Sequence, residues 1–158
     1  MTVYPRAILL QPGEGKTVAV LGDRYTYKAV GADTGGAYGL VETTAPAGSA
    51  GPPPHIHHSE DEAFYVLEGE LTVLIGDQVR KASAGTFAFI PRGSVHTVSN
   101  EADKPARALV ILSPAGFEQA FEEMSAVAPR ADAPPDMERL MAIAQKYNLE
   151  IVGPPPQR

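Results

Sequence analysis

From the N-terminus to about Ser113 the chain is a succession of short, β-rich runs, each stopped within a few residues by Gly, Pro or Asn. The runs are Ala7–Leu10, Thr17–Leu21, Arg24–Val30, Ala37–Thr44, Phe64–Glu68, Leu71–Ile75, Gln78–Ala82, Thr86–Ile90, Val95–Ser99 and Ala106–Leu112. Several alternate by side chain, as Tyr25/Tyr27 and Phe87/Phe89 do, so each run has two distinct faces. Gly69–Glu70 and Gly76–Asp77 sit where tight hairpin turns fall. Strands at this spacing predict an all-β sandwich or barrel. Fifteen Gly and fifteen Pro in 158 residues fit many short strands and argue against a helical bundle. The length suits one domain, 1–158, with a core that needs no disulfides.

After Ser113 the period changes. Ser113–Pro114 reads as a helix start, because Ser caps and Pro suits the first helical position. Phe117, Phe121 and Met124 follow at i, i+4 and i+7. A second start at Pro134–Pro135 leads to Leu140, Ile143, Ala144 and Tyr147, again one helical face. Asn148 is placed to end that helix, and Leu149–Val152 to add an extended piece. The segment 113–158 is therefore expected to form two α-helices packed outside the β core, since so few residues cannot enclose a core alone.

Charge and composition exclude several classes. Thirteen Lys and Arg stand against nineteen Asp and Glu, a net charge of −6, and the basic residues are scattered apart from Arg80–Lys81. Neither a nucleic acid nor an anionic membrane surface is an expected partner. With no Cys, disulfides, thiolate zinc sites and Cys nucleophiles are excluded. The apolar run Ala7–Leu10 is too short for a signal-peptide core, and nothing approaches the roughly 18 apolar residues of a membrane span. The expectation is a soluble, cytoplasmic protein.

Four histidines carry the chemistry: His55, His57, His58 and His96. In an extended segment, side chains two apart share a face, so His55 and His57 point together and His58 points away. Glu60, Asp61 and Glu62 follow and offer a carboxylate, and parity alone does not choose between Glu60 and Glu62. His96 lies near the start of the strand after Pro91–Gly93, where a meander or Greek key brings it beside the first pair. Three imidazoles and a carboxylate suit Fe, Mn, Co, Ni, Cu or Zn, and a six-ligand ion would keep two positions for water, substrate or O₂.

The segment Gly85-x5-Pro91-x-Gly93-x2-His96-x3-Asn100 resembles the second cupin motif at every defined position, and His55-x-His57-x4-Glu62-x6-Gly69 resembles most of the first. One departure is Ser49, where the family has Gly, with Gly48 and Gly51 on either side. The two motifs span 48–100 and the strand pattern extends the likeness to about 30–112. The resemblance implies a double-stranded β-helix (jelly-roll barrel) core at about 30–112, preceded by N-terminal strands within 1–29 and followed by the helical tail. It implies His55, His57, Glu62 and His96 as ligands of one divalent transition metal, with no ligand role for His58. Glu60 and Asp61 then read as a solvated acidic run, and Asn100 as a hydrogen-bonder at a turn or strand end. Phe64, Val66, Phe87 and Phe89 are candidate pocket residues, with plain core packing as the competing reading.

Among cupin activities, sugar-phosphate isomerisation needs a basic cluster that is missing near the motifs, and thiol oxidation with a Cys–Tyr crosslink needs Cys. Pro52–His58 and Phe64–Glu70, with the helical tail, are similar to small quercetinase-like cupins. That resemblance implies a dioxygenase acting on an aromatic or enol-type small molecule, with Glu62 as both metal ligand and general base. The alternatives are an O₂-independent decarboxylase or isomerase of a small acid, and a binder without turnover. A homodimer is expected, because related cupins pair through their sheets and the N-terminal strands show no evident partner inside so small a barrel.

Overall fold

A computed structural model describes residues 6–127 and 134–154. Eleven strands and three helices follow one another in that span. The strands are β1 (Thr17–Val20), β2 (Asp23–Ala29), β3 (Gly39–Ala45), β4 (His55–His57), β5 (Asp61–Glu68), β6 (Glu70–Ile75), β7 (Gln78–Ser83), β8 (Phe87–Ile90), β9 (His96–Ser99), β10 (Ala106–Ser113) and β11 (Leu149–Ile151). The helices are α1 (Gly31–Thr34), α2 (Glu118–Val127) and α3 (Met137–Lys146).

Two antiparallel sheets result, ordered β1-β2-β3-β10-β5-β8 and β11-β4-β9-β6-β7. From β3 to β6 and again from β7 to β10 the chain crosses between them at each step, which is the course of a double-stranded β-helix. Alternation sets which face is buried. On β10, Ala106, Ala108, Val110 and Leu112 are buried, while their neighbours look outward. These meet Phe64 and Val66 of β5, Val41 of β3, and Leu71 and Val73 of β6 in one core. Each such side chain contributes about 1.5–3 kcal/mol by leaving water.

Several expectations are corrected. Ala7–Leu10 forms no strand: Leu9 is 80% exposed, and the chain turns at once where Glu14 N–H donates to Gln11 C=O. Gly76–Asp77 does join a hairpin, β6–β7, but Gly69 does not. It carries the chain from one sheet to the other, with φ +75° and a Cβ position only 2.7 Å from the Pro105 carbonyl oxygen. Ser113 does not cap a helix; it is the last residue of β10 and donates its hydroxyl to Ala37 C=O, and α2 starts only at Glu118. The cap of α3 is Asp136, which accepts from Arg139 N–H after Pro134–Pro135, and Asn148 ends that helix at φ +57° as expected. The N-terminal strands are partnered after all, since β2 pairs with β3 and β1 with β2, and this removes the unpaired-strand argument for a dimer.

Asn100 shows how the loops around β4 are held. It is fully buried, donating from Nδ2 to the carbonyls of Ala45, Pro46 and Lys104 and accepting from Ala102 N–H. Gly51 packs so tightly against β9 that a Cβ would lie 1.8 Å from the Val98 carbonyl oxygen. Asn100→Ala leaves several buried carbonyls without a donor, and a loss of roughly 2–3 kcal/mol is expected in urea unfolding.

Candidate metal centre

The centre is built by two facing sheets. On β4, His55 and His57 point inward and Ile56 outward. β4 pairs with β9 so that His55 stands opposite His96. Glu62 reaches in from β5 on the other sheet, with Oε2 2.7 Å from His96 Nε2 and 3.2 Å from His57 Nε2. One ligand atom from each of His55, His57, Glu62 and His96 lies within 4.8 Å of the others, so the group could hold a metal ion. Of the two carboxylates that parity left open, Glu62 is the one that the fold brings into this group.

The second ring nitrogens explain why the imidazoles face inward. His55 Nδ1 donates to Pro53 C=O at 2.7 Å and His96 Nδ1 to Ser94 C=O at 3.1 Å. His57 Nδ1 is held by the Glu60 carboxylate. Every Nδ1 is occupied, which leaves the Nε2 atoms for the centre. Nitrogen donors of this kind with one carboxylate fit a divalent first-row transition ion.

Burial and charge set the protonation. Burial, aided by the nearby His96, pushes His55 down to about 4, so it is neutral at pH 7. Burial also opposes charge on His57, but hydrogen bonds and attraction from Glu60 and Glu62 outweigh it and hold this residue up at about 9. For Glu62, burial works to raise the pKa, and the hydrogen bonds and charges of His57 and His96 overcome it, holding the carboxyl well below the usual range.

Glu60 is the functional residue that sequence reasoning missed. Expected in solvent, it is only 4% exposed and lies against His57. The available signal was an acidic side chain three residues after a candidate ligand, close enough to turn back onto it. Asp61 does stay at the surface, paired with Arg92 Nε at 3.0 Å. His58 points away as expected, with Nε2 2.7 Å from Glu150.

An apolar cavity of about 170 Å³ adjoins the centre. Of the expected pocket residues, Phe64 lines it, while Val66 is buried in the core beyond it. Phe87 and Phe89 are corrected: they are 61% and 56% exposed on the outer face of their sheet, because in β8 it is Ile90 that takes the inward position. The helices supply walls that sequence reasoning had assigned to packing. Phe117, Phe121 and Met124 of the α2 region and Leu140 and Met141 of α3 line the cavity, with the Phe117 ring edge-on to His57 at 4.4 Å.

Residues 41–112 match the family described as the cupin domain. The chain contains a cupin domain over those residues. It is 33% identical over 100 residues to the tetracenomycin polyketide synthase protein TcmJ of Streptomyces glaucescens, covering 63% of this chain and 62% of that protein. It is 26% identical over 116 residues to quercetin 2,3-dioxygenase of Bacillus subtilis, covering 73% and 34%. The cupin chain thus spans less than two thirds of either curated relative. KdgF from a Halomonas species shares the fold, with a TM-score of 0.63 at 18% identity over 72% of this chain and 99% of that one. Among the described residues, no helix is long and apolar enough to cross a membrane.

Two outcomes are expected of this cupin centre. Glu60→Gln weakens divalent-metal affinity by about 10–100-fold and His96→Ala abolishes stoichiometric binding, both read by titration calorimetry with Co(II) or Ni(II). Because His57 is protonated below about 9, ion binding at pH 7 displaces its proton. Affinity therefore falls as pH drops below 9, by about tenfold per unit, and the released proton appears as a dependence of binding enthalpy on buffer ionisation heat.

Proposed function

We propose that this cupin is a metal-dependent dioxygenase acting on an aromatic, enol-type small molecule of the flavonol kind. His55, His57, Glu62 and His96 hold one divalent ion of the set Fe, Mn, Co, Ni, Cu or Zn, and Glu62 doubles as the general base. The observation that carries the reading is the Glu62 carboxylate, set between two imidazole Nε2 atoms at the edge of an apolar cavity.

When bound, the ion supplies Lewis acidity to an enol or phenol oxygen and open positions for small ligands. The remaining work falls to the chain. With the His57 and His96 imidazoles hydrogen-bonded to it, the Glu62 carboxylate is a weak base. With the ion in place its charge keeps Glu62 ionised while burial works the other way, and the carboxylate takes a hydroxyl proton where it reaches that hydroxyl by hydrogen bond. Phe64, Phe117 and Phe121 exclude water and offer flat apolar surface to a planar ring. Among the described residues no Lys or Arg lines the cavity, which favours an aromatic substrate over a small anionic acid.

A second reading has its own support. The 33% identity to a polyketide synthase protein favours an enolisable polyketide, from which Glu62 would take a proton without O₂ being consumed. The exposed rings of Tyr65, Phe87 and Phe89 on one sheet face support association of two copies.

Protein loaded anaerobically with each ion in turn is mixed with a flavonol and O₂, and oxygen is followed by electrode. Stoichiometric uptake with at least one ion is expected, reduced about 10²–10⁴-fold by Glu62→Gln. Absence of uptake with every ion overturns the dioxygenase reading.

A further inference from the structure

Outside the His/Glu centre, polar side chains reach the cavity in one other place. Asp23 and Tyr25 are two apart on β2, so both point the same way, and both line the cavity with Thr43 and Ser99 beside them. Strands β3 and β10 separate β2 from β5, which carries Glu62. The pair therefore lines the cavity from a strand other than the one that supplies Glu62.

Each of the two keeps an unused hydrogen-bonding valence. Asp23 is only 7% exposed, and its Oδ1 accepts from Ser49 Oγ at 2.5 Å. Its Oδ2 has no hydrogen-bond partner among the described residues, and neither has the Tyr25 hydroxyl. Two other half-buried tyrosines do have partners: Tyr27 donates to Glu118 C=O at 2.6 Å and Tyr147 to Glu123 Oε1 at 2.6 Å. The Tyr25 ring is fixed by stacking on Phe121 at 4.1 Å and 13°. Burial, with the Asp23 and Glu62 charges, pushes the Tyr25 phenol far up, so it stays an O–H donor. Burial raises Asp23 as well, against the Ser49 hydrogen bond.

We infer that Asp23 and Tyr25 form a second polar subsite that recognises a substrate hydroxyl, Tyr25 donating to its oxygen and Asp23 accepting its hydrogen. The inference rests on the reading that an aromatic enol is held at the His/Glu centre. It narrows the substrate to a planar, polyhydroxylated aromatic with one enol or phenol oxygen at the centre and a further hydroxyl on a distant ring. An apolar wall would accept a bare ring there. A hydroxyl gains a donor and an acceptor at this place, and a bare ring gains neither.

The test uses Ni(II)-loaded protein under argon, titrated with quercetin and with 3-hydroxyflavone, which share the enol and carbonyl but differ in the ring hydroxyls. The wild type is expected to bind quercetin about tenfold more tightly than 3-hydroxyflavone. Tyr25→Phe keeps the stacked ring and removes one oxygen, so it should erase that preference and leave 3-hydroxyflavone affinity unchanged. Circular dichroism checks its folding, and Asp23→Asn carries the same comparison if it does not fold. Equal binding of both ligands by the wild type, or an equal loss for both in Tyr25→Phe, overturns this inference while the functional reading stands. Binding of neither ligand overturns the functional reading and this inference with it.

Discussion

The structure is organised around a carboxylate from one sheet meeting imidazoles from the other. Glu62 stands against His57 and His96 in a setting where burial works against the charge of Glu62 and His57. Such groups remain polar in the interior only if each is matched in place, and here the matching is complete. The three Nδ1 atoms are tied to Pro53, Glu60 and Ser94, and Glu62 answers two of the Nε2 atoms. The sheets cannot slide by one residue without turning His55 and His57 outward and Ile56 inward, so the polar centre and the strand register specify each other.

Local pattern made part of this legible. The two-residue period put His55 and His57 on one face and His58 on the other, and both hold in the structure. The alternation of Ala106, Ala108, Val110 and Leu112 is read from the chain without knowledge of its partners. Where local pattern left two answers, tertiary context decided. Glu60 and Glu62 have the same parity, and only the path of β5 brings Glu62 under His96, while the turn before it folds Glu60 back under His57. Phe87 and Phe89 share a face, but nothing in their spacing says which sheet side is the inside. Gly69 fits a hairpin equally well as a change of sheet, and the nearby Pro105 carbonyl is what requires it to be glycine.

The C-terminal helices illustrate the same limit in another form. The stripe Phe117, Phe121, Met124 reads as packing from sequence, because a helical face records that something apolar covers it and not whether that something is solid. In the fold the stripe faces a cavity, and the tail returns through β11 to pair with β4, the strand that carries two of the histidines. The register Leu149↔His57 and Ile151↔His55 gives those histidines a neighbour on the side away from β9. Thus the tail does two things at once: it walls the cavity and it braces the short strand on which half of the imidazole geometry depends.

That double role bears on how the site gains selectivity. A three-residue strand such as β4 is weakly held by its own ladder, and its position here is shared between β9 on one side and β11 on the other. Phe117 touches His57 edge-on, and Phe121 stacks on Tyr25 and meets Phe117 at 5.4 Å. One continuous line of rings therefore runs from His57 to the phenol on β2. A ligand ring placed against Phe121 therefore meets one contiguous aromatic wall made with Tyr25, Phe117 and His57. The far wall and the centre are thus joined by direct ring contacts, with no loop or solvent-facing residue interposed along that line.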